Sequence, residues 1–84
     1  MITIDLANKR LMKIYVTELT ETETKILSLL SDNRYHKINE IADFIHYADA
    51  YKVVNKLIEK YNFLLNFENK RNVGYRVTDR ILIK

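Results

Sequence analysis

The sequence predicts an α+β fold in which short strands come first, three helices follow and a β-hairpin comes last. Apolar residues alternate with polar ones near the start of the chain, recur at helical spacing between residues 21 and 61, and alternate again afterwards. A length of 84 residues suits one domain, so we expect a single domain over residues 1–84.

A small antiparallel sheet of two or three strands is predicted within the first 19 residues. Apolar residues occupy every second position in two stretches, and a polar turn at 7–9 separates them. Such alternation is typical of strands with one buried face. The alternating residues are Ile2, Ile4, Leu6, Met12, Ile14 and Val16.

Three amphipathic helices are predicted over residues 21–31, 39–46 and 50–61. Each has apolar residues at the three- and four-residue spacing that places them on one helical face. In the third helix these residues are Ala50, Val53, Val54, Leu57, Ile58 and Tyr61. Because the connection between the second and third helices is short, the two must cross steeply, as in a helix-turn-helix.

Capping residues support the predicted helix starts. Thr20 and Glu23 have the spacing of a capping box, in which each side chain bonds to the other residue's free backbone N–H. We assign Glu23 no chemistry, because capping explains it. Asp49 is a suitable N-cap for the third helix, and Asn39 or Lys37 lies at the start of the second.

A β-hairpin is predicted after the third helix. Two alternating apolar stretches flank a polar turn at 69–72, and we call the segment Asn69–Arg76 the wing. Gly74, the single glycine of the chain, is expected to mark a bulge or a close approach of two backbones. Residues 81–83 can add a last short strand. The alternating residues of the hairpin are Phe63, Leu65, Phe67, Val73, Tyr75 and Val77. This order of elements is that of a winged helix-turn-helix domain.

Two motifs resemble the DNA-binding effector domains of OmpR/PhoB-type response regulators. Leu19–Leu30 (LTETETKILSLL) is similar to the Leu-Thr-x-x-Glu opening of those domains, and Val73–Val77 (VGYRV) is similar to the end of their wing. The resemblance covers nearly the whole chain. It implies a third helix in the major groove of DNA and a wing on the minor groove or the backbone.

Several departures narrow what the resemblance implies. Asn72 replaces the first glycine of the family's wing motif, and residues 57–60 read Leu-Ile-Glu-Lys where the family has Leu-Arg-x-Lys. The connection between the second and third helices, which often contacts RNA polymerase in that family, is much shorter here. We also expect no receiver domain. The resemblance therefore implies a stand-alone relative, without polymerase activation or two-component signalling.

Composition favours a soluble, cytoplasmic protein that needs no disulfide or metal. The chain has no cysteine, no apolar run of membrane-spanning length and no signal-peptide core. His36 and His46 lack metal-ligand spacing, so surface or turn positions are expected for them. No motif of a serine hydrolase or a glycine-rich phosphate loop is present. We therefore expect no enzyme, no cofactor and no small-molecule ligand.

Positive charge is concentrated in the C-terminal part of the chain. Residues 50–84 carry eight Lys or Arg side chains against three acids, whereas residues 1–49 carry six against eight. A basic half on a nearly neutral body is typical of proteins that bind polyanions, although a solvated lysine-rich surface has the same composition.

Double-stranded DNA is the predicted partner. Lys, Asn and Tyr side chains on the outer face of the third helix can bond to base edges or phosphates in the major groove. Basic residues at the wing tip can enter a minor groove, and polar residues at the start of the second helix can hold a phosphate. The predicted DNA-binding residues are Lys37, Asn39, Tyr51, Lys52, Asn55, Lys56, Lys60, Lys70, Arg71 and Asn72.

The sequence thus predicts a small transcriptional regulator that binds specific DNA sites as a homodimer, because one winged helix contacts few base pairs. Richness in Ile, Lys, Asn and Tyr indicates a bacterial or phage origin. The alternative is a winged helix that contacts a protein, for example a small phage or plasmid factor that binds a host protein. The acids Asp43, Glu59 and Glu68 near the expected interface keep this alternative open.

Overall fold

The computed structural model describes residues 2–84, which form six strands and three helices in the predicted order. The strands are β1 (Ile2–Asp5), β2 (Arg10–Met12), β3 (Val16–Glu18), β4 (Phe67–Lys70), β5 (Gly74–Val77) and β6 (Ile81–Ile83). The helices are α1 (Glu21–Leu30), α2 (Ile38–Ile45) and α3 (Ala50–Tyr61). The predicted α+β winged helix-turn-helix is confirmed. The bounds of α3 are as predicted, α1 ends one residue earlier than predicted, and α2 both begins and ends one residue earlier.

The N-terminal strands and β6 form a four-stranded sheet with the order β3-β2-β1-β6. β2 pairs antiparallel with β1 and with β3, whereas β6 runs parallel to β1. Ile2, Ile4 and Leu11 are buried against the helices. The strand predicted for residues 81–83 is therefore confirmed, and it completes a sheet that starts at the other end of the chain.

The alternation predicted through Met12, Ile14 and Val16 is wrong as a single strand. The chain reverses at residues 13–15, which pairs Met12 directly with Val16 across two strands. Leu11 takes the buried position on β2, and Ile14 at the turn is 84% exposed. The Nζ of Lys13 donates to the carbonyl oxygen of Leu64 at 2.7 Å, which holds this turn against the end of α3.

One apolar core joins the inner face of the sheet to all three helices. The helical stripes predicted from three- and four-residue spacing are the faces that the helices bury. Each buried Leu, Ile or Val side chain contributes about 1.5–3 kcal/mol relative to an exposed one. The largest fully buried side chains are Tyr61, Ile4, Leu11, Ile26, Leu27, Leu30, Ile41, Leu57, Leu65, Val54 and Val77.

The helix starts show two of the three predicted caps. The Oγ1 of Thr20 accepts from the N–H of Glu23 at 3.1 Å, and the Glu23 carboxylate accepts from the N–H of Thr20 at 2.8 Å. Asp49 accepts from the backbone N–H of residue 52 at 3.4 Å. Lys37 occupies the N-cap position of α2 but makes no side-chain capping bond, and Asn39 lies within the first turn. A capping role for Asn39 is therefore wrong.

A left-handed residue makes the turn between α2 and α3. His46 ends α2 with φ 55°, and its backbone N–H donates to the carbonyl oxygen of Ala42. Four residues, 46–49, then connect the two helices. This compact link produces the steep crossing that a helix-turn-helix requires.

The strand predicted from Phe63, Leu65 and Phe67 begins only at Phe67. The backbone N–H groups of Leu64 and Leu65 both donate to the carbonyl oxygen of Tyr61 at 3.0 Å, so the chain folds over the end of α3. Leu64 and Leu65 are both buried, which a strand of alternating sides does not permit, and Phe63 is 67% exposed. The hydrogen bonds to the end of α3 therefore determine the structure of this segment, although its apolar residues alternate as in a strand.

The tip of the hairpin lies further along the chain than predicted. Asn69 and Lys70 belong to β4, and the turn consists of residues 71–73. Asn72 has the left-handed φ of 64°, and the backbone N–H of Val73 donates to the carbonyl oxygen of Lys70 at 3.0 Å. Asn tolerates this conformation better than most residues. Val73 consequently belongs to the exposed tip rather than to a strand.

Candidate nucleic-acid interface

A cleft of about 420 Å³ lies between the start of α2, the start of α3 and the wing. Five of the ten predicted DNA-binding residues line it, although they come from three separate parts of the sequence. They are Lys37, Asn39, Tyr51, Lys70 and Asn72. The cleft therefore combines two cations with amide and phenol groups, which suit a phosphate and a base edge.

A short backbone bridge holds the wing beside α2. The N–H of His36 donates to the carbonyl oxygen of Tyr75 at 2.8 Å, and the N–H of Tyr75 donates to the carbonyl oxygen of His36 at 2.9 Å. His36 lies directly before Lys37, the N-cap residue of α2. The wing and the start of α2 are thus parts of one rigid edge of the cleft.

Gly74 permits this approach, as the sequence predicted. Its φ is +133°, and a Cβ placed there would lie 2.6 Å from the carbonyl carbon of His36 and 3.0 Å from the nitrogen of Lys37. These distances are shorter than real Cβ contacts. The close approach of two backbones is confirmed as the reason for the glycine.

Two polar residues of the cleft, Asn69 and Tyr75, were not among the predicted contacts. Burial raises the pKa of Tyr75, the nearby Tyr51 phenol raises it further, and a hydrogen bond with the Asn69 side chain lowers it. All three of these residues line the cleft. Asn69 pairs with Tyr75 across the hairpin, so a correct hairpin register would have placed the two side by side.

The outer face of α3 continues from Tyr51 into solvent. Tyr51 is 60% exposed, and Lys52, Asn55 and Lys56 are also exposed. Three- and four-residue spacing places these side chains on adjacent turns of one helical face. Lys52, Asn55 and Lys56 do not line the cleft, but they continue the candidate interface along the exposed face of α3. Glu59, one of the three acids behind the protein-contact alternative, is exposed on the same helix.

Lys60 differs from the other predicted contacts because it forms an ion pair within the protein. Its Nζ lies 3.2 Å from the Glu23 carboxylate and 5.3 Å from the centre of the Tyr61 ring. The Tyr61 hydroxyl donates to the same carboxylate at 3.0 Å. Burial alone would raise the pKa of Glu23, but hydrogen bonds from Thr20, Lys60 and Tyr61 lower it. Glu23 therefore links α1 to α3 as well as capping α1.

Glu68 on β4 is also engaged within the protein. It accepts from the Nε of Arg76 at 2.8 Å, and the Arg76 guanidinium lies 4.5 Å from the centre of the Tyr35 ring. The Glu68 carboxylate thus offsets the positive charge of Arg76 in the wing. Lys70 and Arg71 remain as the exposed cations near its tip.

His36 lies in the interior, which contradicts the surface or turn position expected for it. It is 6% exposed, and its ring is held between two carboxylates. Nδ1 lies 2.6 Å from Glu40, and Nε2 lies 2.9 Å from Asp32. Because the two carboxylates bind opposite ring nitrogens, they do not converge on a common point as metal ligands would. Asp32 and Glu40 each lie four residues from His36 in the sequence, and this spacing is the signal that could have indicated the contacts.

His36 is expected to make the stability of the protein depend on pH. Burial alone would lower the pKa of His36, but the hydrogen bonds and charges of Asp32 and Glu40 raise it above its ordinary value of 6.5. The protonated ring therefore stabilises the folded state fully below pH 6.5, and this stabilisation is lost as pH rises through the folded pKa.

We expect the free energy of unfolding, measured by urea titration, to fall by about 1 kcal/mol between pH 6 and pH 9. His36→Gln should remove this slope, because the amide does not titrate. His46→Gln, at an exposed histidine, is the matched control and should keep the slope. An equal slope in the protein and in His36→Gln would contradict the role of the carboxylate pair.

Comparison with known protein families matches residues 15–66 to the family described as the winged helix domain. The chain belongs to the winged helix domain family. The match begins in the turn before β3 and extends past α3, so it contains the whole helix-turn-helix of this winged helix. No curated protein matches the chain. Among residues 2–84, no helix of this winged helix has the length and hydropathy that crossing a bilayer requires.

Proposed function

We propose that this winged helix is a sequence-specific double-stranded DNA-binding protein that acts as a small transcriptional regulator. The observation that carries the proposal is the cleft in which Lys37, Tyr51 and Lys70 meet from three separate segments. Residues remote in sequence converge there with the chemistry that nucleic acid requires.

α3 is proposed to lie in the major groove. Its 12 residues span about 18 Å at 1.5 Å per residue, which fits a groove about 12 Å wide and open along its length. Tyr51, Lys52 and Asn55 are at its N-terminal half, which in helix-turn-helix proteins contacts base edges. Lys56, one turn further on, is proposed to bind the phosphate backbone.

The wing and the start of α2 are proposed to contact the phosphates that flank this groove. Lys37, Asn39, Lys70 and Asn72 line the same cleft, and Arg71 is exposed beside it at the wing tip. Charged contacts with phosphate fix the position of a protein on DNA, whereas base contacts specify the sequence. Two copies on adjacent half-sites would give the specificity that one domain lacks.

Two variants separate these roles. Selection from a random duplex library supplies a binding site, and fluorescence anisotropy then measures affinity at several salt concentrations. Lys52→Ala is expected to weaken binding several-fold on the selected site. Lys70→Ala/Arg71→Ala is expected to lower the slope of log K against log salt by about 0.9 for each lost phosphate contact.

Lys9→Ala/Lys25→Ala is the matched control, because it removes two cations from β1–β2 and α1 while leaving the cleft intact. An unchanged salt slope in Lys70→Ala/Arg71→Ala would contradict the wing contact. A library selection that enriches no sequence would contradict specific DNA binding and favour the alternative, contact with a protein.

A further inference from the structure

The four-stranded sheet has a second face that the proposed DNA contacts do not use. Ile2, Ile4 and Leu11 point to the core, and the residues between them point to the opposite side, which we call the outer sheet face. Val16 and Leu82 on this face are 57% and 53% exposed. It is therefore an open, partly apolar surface.

One row of residues crosses the outer sheet face from β3 to β6 and is largely apolar. The strand register pairs Met12 with Val16 and with Thr3, and pairs Thr3 with Leu82. The row in order is Val16, Met12, Thr3 and Leu82. Ile14, in the turn that joins β2 and β3, extends the apolar surface at the same end of the sheet.

A second row crosses the same face and alternates in charge. Arg10 pairs with Glu18 on one side and with Asp5 on the other. The backbone N–H of Lys84 donates to Ile4 and its carbonyl accepts from Leu6, which places Lys84 beside Asp5. Across β3, β2, β1 and β6 the charges are thus negative, positive, negative and positive.

Among residues 2–84, none of these four charged side chains forms a close ion pair. The ion pairs within residues 2–84 join other side chains: His36 to Asp32 and Glu40, Lys60 to Glu23, and Arg76 to Glu68. The Asp5 carboxylate accepts two hydrogen bonds from Asn8, which leaves its charge in place. The row therefore presents a fixed charge pattern to solvent.

We propose that the outer sheet face binds a second copy of this chain, with the two-fold axis parallel to the strands. This inference rests on the pairing of two copies proposed above. Rotation about such an axis, placed between β1 and β2, brings β3 opposite the second copy's β6 and β2 opposite its β1. Glu18 then faces Lys84, and Arg10 faces Asp5, so every charge meets its opposite.

The apolar row is complementary under the same rotation. Val16 meets Leu82 of the second copy, and Met12 meets Thr3, so the apolar surface is buried against itself. If the two-fold axis lay in the interface but ran perpendicular to the strands, along the charged row, each charged residue would face the same residue of the second copy. Like charges would then meet. The charge pattern thus selects one arrangement of two packed sheets, and sheets pack face to face at about 10 Å.

A face of four short strands is smaller than the roughly 800 Å² per partner of a standard interface, so we expect a weak dimer. Its dissociation constant should be on the order of 0.1 mM in the absence of DNA. Sedimentation equilibrium of the purified full chain, at protein concentrations on either side of that value, measures it directly.

The decisive test uses two charge-reversal variants. Each should dimerise weakly by itself, and a mixture of the two should dimerise normally. Arg10→Glu places two negative charges opposite each other, and Asp5→Arg places two positive charges opposite each other. Because the symmetry doubles every contact, each variant alone should dimerise about tenfold more weakly. An equimolar mixture should recover dimerisation, since each altered residue then faces an opposite charge.

A second pair guards against a folding defect in Asp5→Arg, which loses the Asn8 hydrogen bonds. Glu18→Lys alters edge strand β3, and Lys84→Glu alters the residue directly after edge strand β6. Among residues 2–84, neither Glu18 nor Lys84 belongs to a close ion pair. The same pattern of separate loss and joint rescue is expected. Circular dichroism confirms that each variant is folded before sedimentation.

The outcomes separate this inference from the proposed function. Binding of Arg10→Glu to a duplex with a single half-site should weaken by only a few-fold, through the long-range field alone, because Arg10 lies outside the cleft. A monomer at all concentrations, or a dimer that no folded charge variant weakens, would overturn the inference while leaving DNA binding in place. A mixture that fails to recover, from two folded variants, would also overturn it.

Discussion

Gly74→Ala is expected to destabilise the protein by roughly 3 kcal/mol or more, or to prevent folding of the wing. The added Cβ would lie 2.6 Å from the carbonyl carbon of His36, and the φ of +133° is one that L residues rarely adopt. Relief of the clash requires the wing to move away from α2. That movement breaks both backbone hydrogen bonds between His36 and Tyr75.

Urea unfolding followed by circular dichroism measures this loss. A domain of 84 residues has a total stability of about 4–13 kcal/mol, so a change of 3 kcal/mol is a large part of it. Asn72→Gly is the matched control, because Asn72 has a left-handed φ of 64° that glycine adopts freely. A Gly74→Ala protein within about 0.5 kcal/mol of the unaltered chain would contradict the close approach.

Lys37→Glu/Lys70→Glu is expected to weaken DNA binding by about 100-fold or more at moderate salt. The two lysines come from the start of α2 and from β4, and they line the same cleft. Under the proposed binding mode, each substitution would remove a phosphate contact and place a negative charge beside the DNA backbone. The effect should therefore exceed that of removing the same two cations with alanine, and it should diminish as salt screens the repulsion.

Lys9→Glu/Lys25→Glu changes the net charge by the same amount and leaves the cleft lining unaltered. It is expected to weaken binding by less than tenfold, through the long-range field alone. Fluorescence anisotropy with one labelled duplex compares both double variants. Equal losses in the two would show that affinity follows net charge, which contradicts a binding site at the cleft.

The helices were predicted closely because their signals are local. A capping box at Thr20 and Glu23, a cap at Asp49 and a continuous stripe from Ala50 to Tyr61 all act within a few residues. Each backbone N–H of a helix bonds within its own segment, so sequence spacing determines it. The predicted strand through Phe63 was wrong because Leu64 and Leu65 bond back to Tyr61 instead.

The candidate site was predicted residue by residue but not as one surface. Lys37, Tyr51 and Lys70 were chosen for their chemistry and positions on separate elements. Their convergence depends on the bridge between His36 and Tyr75, which joins residues 39 positions apart in sequence. Asn69 was overlooked because the predicted turn began two residues too early.

Sequence patterns predict the order of the elements, the buried face of each helix and a special backbone role for Gly74. These features follow from periodicity, capping and the absence of a Cβ, which act over short stretches of chain. The spacing of Asp32, His36 and Glu40 is visible in the sequence, but the burial of the His36 ring is not. Packing of α3 against α1 places Lys60 beside Glu23, which lies far away in sequence. Contacts between residues that are distant in sequence depend on how elements pack, and no local spacing encodes them.

The wing illustrates both what sequence patterns predict and what the packing of the elements determines. Gly74 and Tyr75 were expected to make its inner strand, and they do. The cleft beside it exists because β5 is bonded to the residue that precedes α2, and this contact brings Lys70 towards Lys37. Two like charges gather there because the packing of the backbone places them together, and we propose that the phosphates of DNA are what they bind.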